Sequence, residues 1–318
     1  MKIAFIGGSW SSNIGNAFYN LGALAFLENI PQVEAFFVPD PPHWKEGVAN
    51  DFDLISNLDV DLVVLAGPCL NLRLPKIFAP IFASLQKRNV KFGFISAGMS
   101  LYDEGEAKVL KDFFSTYPPQ FIFTRDSDTY NILNKVIDVC KCYDGLCTSM
   151  FLNDAVKVPG LAIPEYYVYN FDDEYEPAII ATGDNDFHVG DRHKKKINEL
   201  NGKPVIRTNN NDIGVGYKKI YGERNVYHSD LPYGYLSILK QAEVVFSERV
   251  HTCAATLILG GTAQFIPMAK RSFEKRSKLF DRIRLSEIVS KPVKLNFDYL
   301  NGEKERMRVE FANVLSAL

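Results

Sequence analysis

An arginine and a histidine two positions apart, Arg249 and His251, sit where a short apolar run over 244–246 gives way to a small-residue stretch over 252–259. The first run is β-branched and aromatic and reads as a strand. The second reads as a buried helix stopped by Gly260 and Gly261. Ser247, Glu248, Arg249 and His251 therefore fall on a strand-to-helix turn. Ligands of open α/β sheets bind at that end of the strands, and a helix N-terminus offers N–H groups to an anion. Arginine can grip a phosphate or carboxylate by two hydrogen bonds. Imidazole can move a proton near neutral pH. An isolated arginine or histidine more often pairs with a nearby acid or caps a helix, but the shared turn favours a site. Arg125 stands on another such turn, Thr124-Arg125-Asp126-Ser127. Near the start, Asn13, Gly15 and Asn16 form a glycine-bearing turn where backbone and amides can approach a ligand, a reading balanced by that of a plain helix start. Lys270 opens a basic run that reads as a solvated face, with Lys270 itself evenly weighed as a phosphate contact.

Regular elements must hold these turns. Strand patterns at 2–6, 34–38, 62–66, 92–95, 121–123 and 139–143 alternate with helical patterns at 17–27, 75–87, 104–115 and around 131–134. Strand and helix in alternation predict a parallel sheet covered on both faces. Residues 159–173, rich in proline, tyrosine and acids, read as an interdomain linker, and their aromatics either pack or stack on sugar rings. The pattern restarts with a strand at 178–181, a basic helix at 191–201 and a strand at 204–208. A short strand at 226–228, a helix at 235–242, the Arg249–His251 turn, a strand at 262–266, a helix at 273–283 and a terminal helix at 303–318 follow. The glycines after the first strand do not form G-x-G-x-x-G, so the dinucleotide fingerprint is not met. The fold class expected is α/β: two doubly wound Rossmann-like domains, 1–165 and 175–302, with a ligand cleft between them and a terminal helix returning to the first.

With 318 residues, 47% hydrophobic and 23% charged, the chain has ordinary globular composition. A formal net charge of -2 gives no bulk basic character for nucleic acid. No apolar run is long enough to span a membrane, and no signal-peptide cleavage pattern opens the sequence. A cytoplasmic location with reduced thiols is expected. Cys140, Cys142 and Cys147 have the spacing C-x-C-x4-C without a nearby histidine, so buried thiols are a better reading than a metal site.

Three landmarks together resemble the polysaccharide pyruvyl transferase family: Asn13-Ile14-Gly15-Asn16, Thr124-Arg125-Asp126-Ser127 and Ser247-Glu248-Arg249-Val250-His251. They occur in the family's order and span most of the chain. The resemblance implies a GT-B-like architecture and transfer of the enolpyruvyl group of phosphoenolpyruvate onto two hydroxyls of a sugar, with release of phosphate. It implies Arg125 at the active site, His251 as the acid/base or phosphate-binding histidine, Arg249 beside it, and Asn13 and Gly15 as the N-x-G turn. Where the family has an acid after that glycine, this chain has Asn16, which can hold a hydroxyl but cannot act as a base.

Under this reading Arg125 and Arg249 clamp a doubly anionic donor, Ser247 and Glu248 line it, and His251 protonates the enol carbon or the departing phosphate. Asp126, Asp144, Asp184 and Glu248 are all candidates for the remaining acid or base. The donor is a substrate, so no cofactor or metal is implied. The partners are that small molecule and a sugar or lipid-linked saccharide, the latter compatible with peripheral membrane contact. Two other readings share the architecture: a nucleotide-sugar-dependent glycosyltransferase and a non-catalytic sugar-binding relative.

Overall fold

The apolar runs of the first half become the strands of a single sheet. The computed structural model describes residues 1–10, 13–39, 55, 57–172, 176–183, 186–192, 196–210, 224–267 and 274–318. The chain divides into two units. Met1–Ser9, Tyr19–Ala155 and Asp298–Leu318 form the first, and Trp10–Phe18 with Val156–Phe297 form the second.

In the first unit the described residues form a six-stranded parallel sheet. Its strands are β1 (Lys2–Gly7), β2 (Glu34–Pro39), β3 (Leu62–Leu70), β4 (Lys91–Met99), β5 (Phe121–Thr124) and β6 (Lys141–Tyr143), in the order β2-β1-β3-β4-β5-β6. Strands β3, β4 and β5 are buried along almost their whole length, as parallel strands covered on both faces must be. Helices α1 (Gly15–Glu28), α2 (Leu74–Lys87), α3 (Glu104–Thr116) and α4 (Ser127–Val136) provide the connections. Leu74, Phe78, Ile81, Phe82 and Leu85 form the buried stripe of α2, at the spacing of one helix face. Phe82 stacks on Phe92 of β4 with ring centroids 4.2 Å apart. Asp103 and Asp126 cap α3 and α4 by accepting the N–H groups of Glu106 and Thr129. The terminal helix begins at Phe297, earlier than the pattern suggested, and runs to Ser316. Its Phe311 lies 5.1 Å from Phe26, 5.5 Å from Phe121 and 5.6 Å from Phe123, centroid to centroid.

The second unit departs from expectation at its beginning. Tyr167–Asn170 is not linker but a strand, β7, buried throughout and central in the sheet order β10-β11-β7-β12-β13. Tyrosine suits a pleated buried surface when its hydroxyl finds an acceptor, and Tyr166 Oη donates to Ile238 O at 2.8 Å. Tyr166, Tyr167, Tyr169 and Phe171 are thus core residues, 1–8% exposed, and unavailable as sugar platforms. The boundary between units accordingly falls after Ala155.

The next two segments also differ. Pro177–Gly183 (β8) pairs antiparallel with Asp186–Arg192 (β9) as a hairpin separate from the main sheet. Ile179 and Phe187 of that hairpin join Tyr167, Val205 and Phe246 in one buried cluster, and the basic helix predicted over 191–201 is not formed among the described residues there. Within that range Glu199–Leu200 is a strand (β10) antiparallel to β11 (Lys203–Thr208). Strands β11, β7, β12 (Val245–Ser247) and β13 (Ala263–Phe265) are parallel, and helices α5 (Pro232–Gln241) and α6 (Val250–Ile258) flank β12 in sequence. Over 273–283 the expected helix is broken into a 3-10 turn, Glu274–Ser277, and one α-turn, Lys278–Asp281. Among the described residues no helix is long and apolar enough to cross a membrane.

Candidate active site

Three parallel strands of the second unit end in short polar residues at one level of the sheet. Asn170 closes β7, Thr208 closes β11 and Ser247 closes β12, with Thr208 and Ser247 each in register with Asn170. Asn170 Nδ2 donates to Thr208 Oγ1 and to Asn210 Oδ1, both at 2.8 Å, while its Oδ1 accepts from Ser247 Oγ at 2.7 Å. Asn210 Nδ2 donates to Thr252 Oγ1 at 2.9 Å. These five side chains are 0–3% exposed, so their mutual bonds avoid the cost of leaving buried donors unpaired.

On this polar floor stands the N-terminus of α6. Arg249 is its N-cap residue, with extended backbone and a side chain that does not cap. Ser247 Oγ instead accepts the Arg249 N–H at 2.9 Å. The Arg249 guanidinium pairs with Asp172, and its Nε lies 4.0 Å from Glu248 Oε1. Glu248 is buried and accepts the Asp172 N–H at 2.8 Å. The local-acid reading of Arg249 is therefore met, by an acid 77 residues earlier in the chain, and 11% of its side chain stays exposed. His251, half-buried, occupies the first turn of α6. Cys253, two residues on, is fully buried, and burial pushes its thiol pKa well up, so it is held as a neutral thiol.

The 13–16 turn belongs to the same unit. Asn13 Oδ1 accepts the Gly15 N–H at 2.8 Å, its carbonyl accepts the Asn16 N–H at 2.9 Å, and Ile14 N–H donates to Asn210 O at 2.9 Å. Gly15 lies against Asn210 and His251 so closely that a Cβ there would stand 2.9 Å from Asn210 Nδ2. The second unit thus brings together Asn13, Gly15, Asn16, Ser247, Glu248, Arg249 and His251. Two helix N-termini, of α1 and α6, meet there beside one arginine and one imidazole, an arrangement suited to an anion. Lys270 and Asp184 lie outside the described residues.

Arg125 lies in the first unit, 2% exposed. Its Nη2 donates to Tyr102 Oη at 3.1 Å and its Nε stands 3.5 Å from Asp126 Oδ2. Asp126 also accepts from Tyr102 Oη at 3.1 Å and from the N–H and hydroxyl of Thr129 at 2.7 and 3.1 Å. The guanidinium fits only because residue 98 is glycine: a Cβ there would sit 2.1 Å from Arg125 Nε. Arg125 is accordingly enclosed by its own unit's side chains rather than presented as an open cation. Asp126 is a helix cap, and Asp144 accepts from Ser127 Oγ at 3.1 and 3.2 Å.

Residues 13–261 match the polysaccharide pyruvyl transferase family. The chain belongs to that family. As a polysaccharide pyruvyl transferase family member it is a transferase, and the matched span opens at Asn13 and includes all three landmark turns. No curated protein matches the sequence. Among solved structures, the Staphylococcus aureus MnaA–UDP co-structure superposes with a TM-score of 0.55 at 11% identity, covering 100% of this chain and 97% of that one. A putative UDP-N-acetylglucosamine 2-epimerase from Listeria monocytogenes gives 0.53 at 11% identity, covering 96% and 90%. UDP-GlcNAc 2-epimerase from Neisseria meningitidis bound to UDP-GlcNAc gives 0.50 at 10% identity, covering 97% and 94%. At such identities the likeness is one of fold, and the pyruvyl transferase family member is GT-B-like.

Asp172, Asn170, Asn210, Thr208 and Thr252 were not anticipated. Their one trace in the sequence is a polar residue closing each of three apolar strands, Asn170, Thr208 and Ser247. Among the described residues no group of three or more His, Cys, Asp and Glu side chains is arranged to hold a metal ion.

Proposed function

We propose that this transferase moves the enolpyruvyl group of phosphoenolpyruvate onto a sugar of a cell-envelope or exopolysaccharide precursor, forming a pyruvate ketal. Two sugar hydroxyls lose their protons as their oxygens bond to the central carbon of the donor; one proton goes to the methylene carbon and the other leaves with the phosphate. The bond from the central carbon to the phosphate oxygen breaks, and inorganic phosphate leaves. The observation that carries the reading is the pairing of Arg249 and His251 on the first turn of α6, within the matched family span. In this reading Arg249 and the α6 N-terminus receive the donor's phosphate or carboxylate. His251 delivers the proton, a role imidazole side chains can fill at neutral pH. Asn13 and Asn16 offer neutral hydrogen bonds to sugar hydroxyls. Arg125, buried against Tyr102 and Asp126, is given no ligand contact in this reading.

The test is phosphate release from phosphoenolpyruvate in the presence of lipid-linked or nucleotide-linked sugars, with His251→Ala and Arg249→Ala as controls. Acceptor-dependent release that both variants abolish supports the reading. An absence of release with every acceptor, together with no binding of phosphoenolpyruvate, rejects it.

A second reading is glycosyl transfer from a nucleotide sugar. It is favoured by the fold shared with proteins solved with UDP and with UDP-GlcNAc. Tighter binding of a nucleoside diphosphate than of phosphoenolpyruvate would select it.

A further inference from the structure

We propose that Asn210 is the positioning residue of this site, holding the 13–16 turn, the His251 helix and Arg249 in one frame. The kinetic part of this proposal rests on the pyruvyl-transfer reading; the geometric part does not.

Asn210 is 2% exposed and uses every polar group it has. Its N–H donates to Asp172 Oδ1 at 2.8 Å, and Asp172 in turn holds Arg249. Its carbonyl accepts the Ile14 N–H at 2.9 Å, which fixes the turn that carries Asn13 and Gly15. Its Nδ2 donates to Thr252, the residue after His251, at 2.9 Å. Its Oδ1 accepts from Asn170 at 2.8 Å, anchoring the whole to the end of the central strand. One residue thus ties three sequence-distant pieces of the site to the sheet, Asp172 and Ile14 through its backbone and Thr252 and Asn170 through its side chain. Such support matters because a displacement of about 1 Å in a reacting group can cost roughly 100-fold in rate.

The frame is also free of titrating groups at its centre. Asn170, Asn210, Thr208, Thr252 and Ser247 carry no charge at any ordinary pH. The frame's titratable groups lie at its edge, in Asp172 and its partner Glu248.

The experiment uses the full chain and three variants: Asn210→Ala, Thr252→Val and Thr252→Ser. Valine keeps the shape of threonine and loses the hydroxyl that Asn210 binds, whereas serine keeps the hydroxyl. Steady-state kinetics with phosphoenolpyruvate should show kcat/KM down roughly 10- to 100-fold in Asn210→Ala and Thr252→Val. Thr252→Ser should return to within about threefold of wild type. Asn210→Ala keeps the carbonyl that Ile14 N–H binds but frees the segment from Thr252 and Asn170, so hydrogen exchange at the Ile14 amide should be at least tenfold faster, with the Val168 amide in the middle of β7 unchanged as the reference for global stability. Wild-type kcat/KM in Thr252→Val, or equal losses in the valine and serine variants, would overturn the kinetic part. If wild type shows no turnover of phosphoenolpyruvate, the functional reading fails while the exchange data still judge the frame. Ile14 exchange that merely follows Val168 would overturn the positioning role itself.

Discussion

A Cβ built on Gly15 would lie 3.7 Å from the Cβ of His251, so the turn near the start of the chain rests directly on the helix that carries the histidine. The same atom would stand 2.9 Å from Asn210 Nδ2 and 3.0 Å from Asn13 Oδ1, closer than an unstrained contact allows. Gly15→Ala should therefore push the turn off α6. The expected cost is about 1–3 kcal/mol of stability and at least a tenfold loss of kcat/KM, measured by denaturant titration and phosphate release. Wild-type behaviour in both would show that the turn tolerates a methyl group and is not closely seated.

Arg125 makes a different kind of demand. Arg125→Met removes the charge facing Asp126 and strips Tyr102 Oη of a donor. Breaking a buried pair in this way costs about 3–5 kcal/mol. Gly98→Ala reaches the same group from the other side by filling the space of its Nε. The two variants should lower thermal stability together, and the double variant should lose much less than the sum of the singles. Additive losses in a double-mutant cycle would show that Gly98 and Arg125 do not act on one contact.

Tyr166 should leave a mark on alkaline stability. Its buried phenol has a pKa raised from the ordinary 10.0 to about 12, and it donates to Ile238 O. Because the folded value exceeds the unfolded one, the contribution is whole below pH 10 and is lost as the pH climbs through about 12. Thermal melts between these limits should fall more steeply for wild type than for Tyr166→Phe. Parallel curves would assign the alkaline loss to other groups.

Lys304 tests whether a buried charge is needed for stability. Its ammonium bonds Asn153 Oδ1 at 3.0 Å and Asp154 Oδ1 at 2.8 Å, and lies 5.2 Å from the Phe151 ring centroid. Burial pulls its pKa below the usual lysine value, opposed by Asp154. Lys304→Met keeps the volume, and Asp154 keeps Arg308 at 2.7 Å, so the loss should stay below about 2 kcal/mol. Lys304→Ala opens a cavity and should cost about 2–5 kcal/mol. Equal urea midpoints for the two variants, both well below wild type, would make the charge, not the packing, the stabilising part.

The first unit was legible because its parallel strands are near-continuous apolar runs such as Leu62–Leu70, each followed by a helix. The second unit was harder to read at the point where its central strand is written in tyrosines. Tyr167 and Tyr169 next to prolines and acids resemble a linker until their neighbours β11 and β12 are known. The strand read at 178–181 is there but pairs in a hairpin instead of the parallel sheet, and the helix read at 191–201 gives way to the end of β9 and to β10, partners that a sequence pattern does not name. At the site, Arg249 and His251 carry chemistry in their side-chain types and could be read directly. Asn170 and Asn210 could not, since neutral amides signal nothing alone and their side-chain partners lie 38 to 77 residues away. The pairing of Arg249 with Asp172 was hidden for the same reason.

The first unit is closed by residues that are made only after the second unit's Val156–Phe297. Phe311 fills the space between Phe26, Phe121 and Phe123, yet the whole of Val156–Phe297 must be synthesised before it. At about 5–20 residues per second, those aromatic side chains wait on the order of ten seconds or more on the nascent chain without their cover. A stop codon placed just before the final helix should therefore yield a product that chaperones retain and proteases clear, although every residue of the Arg249–His251 turn would be intact.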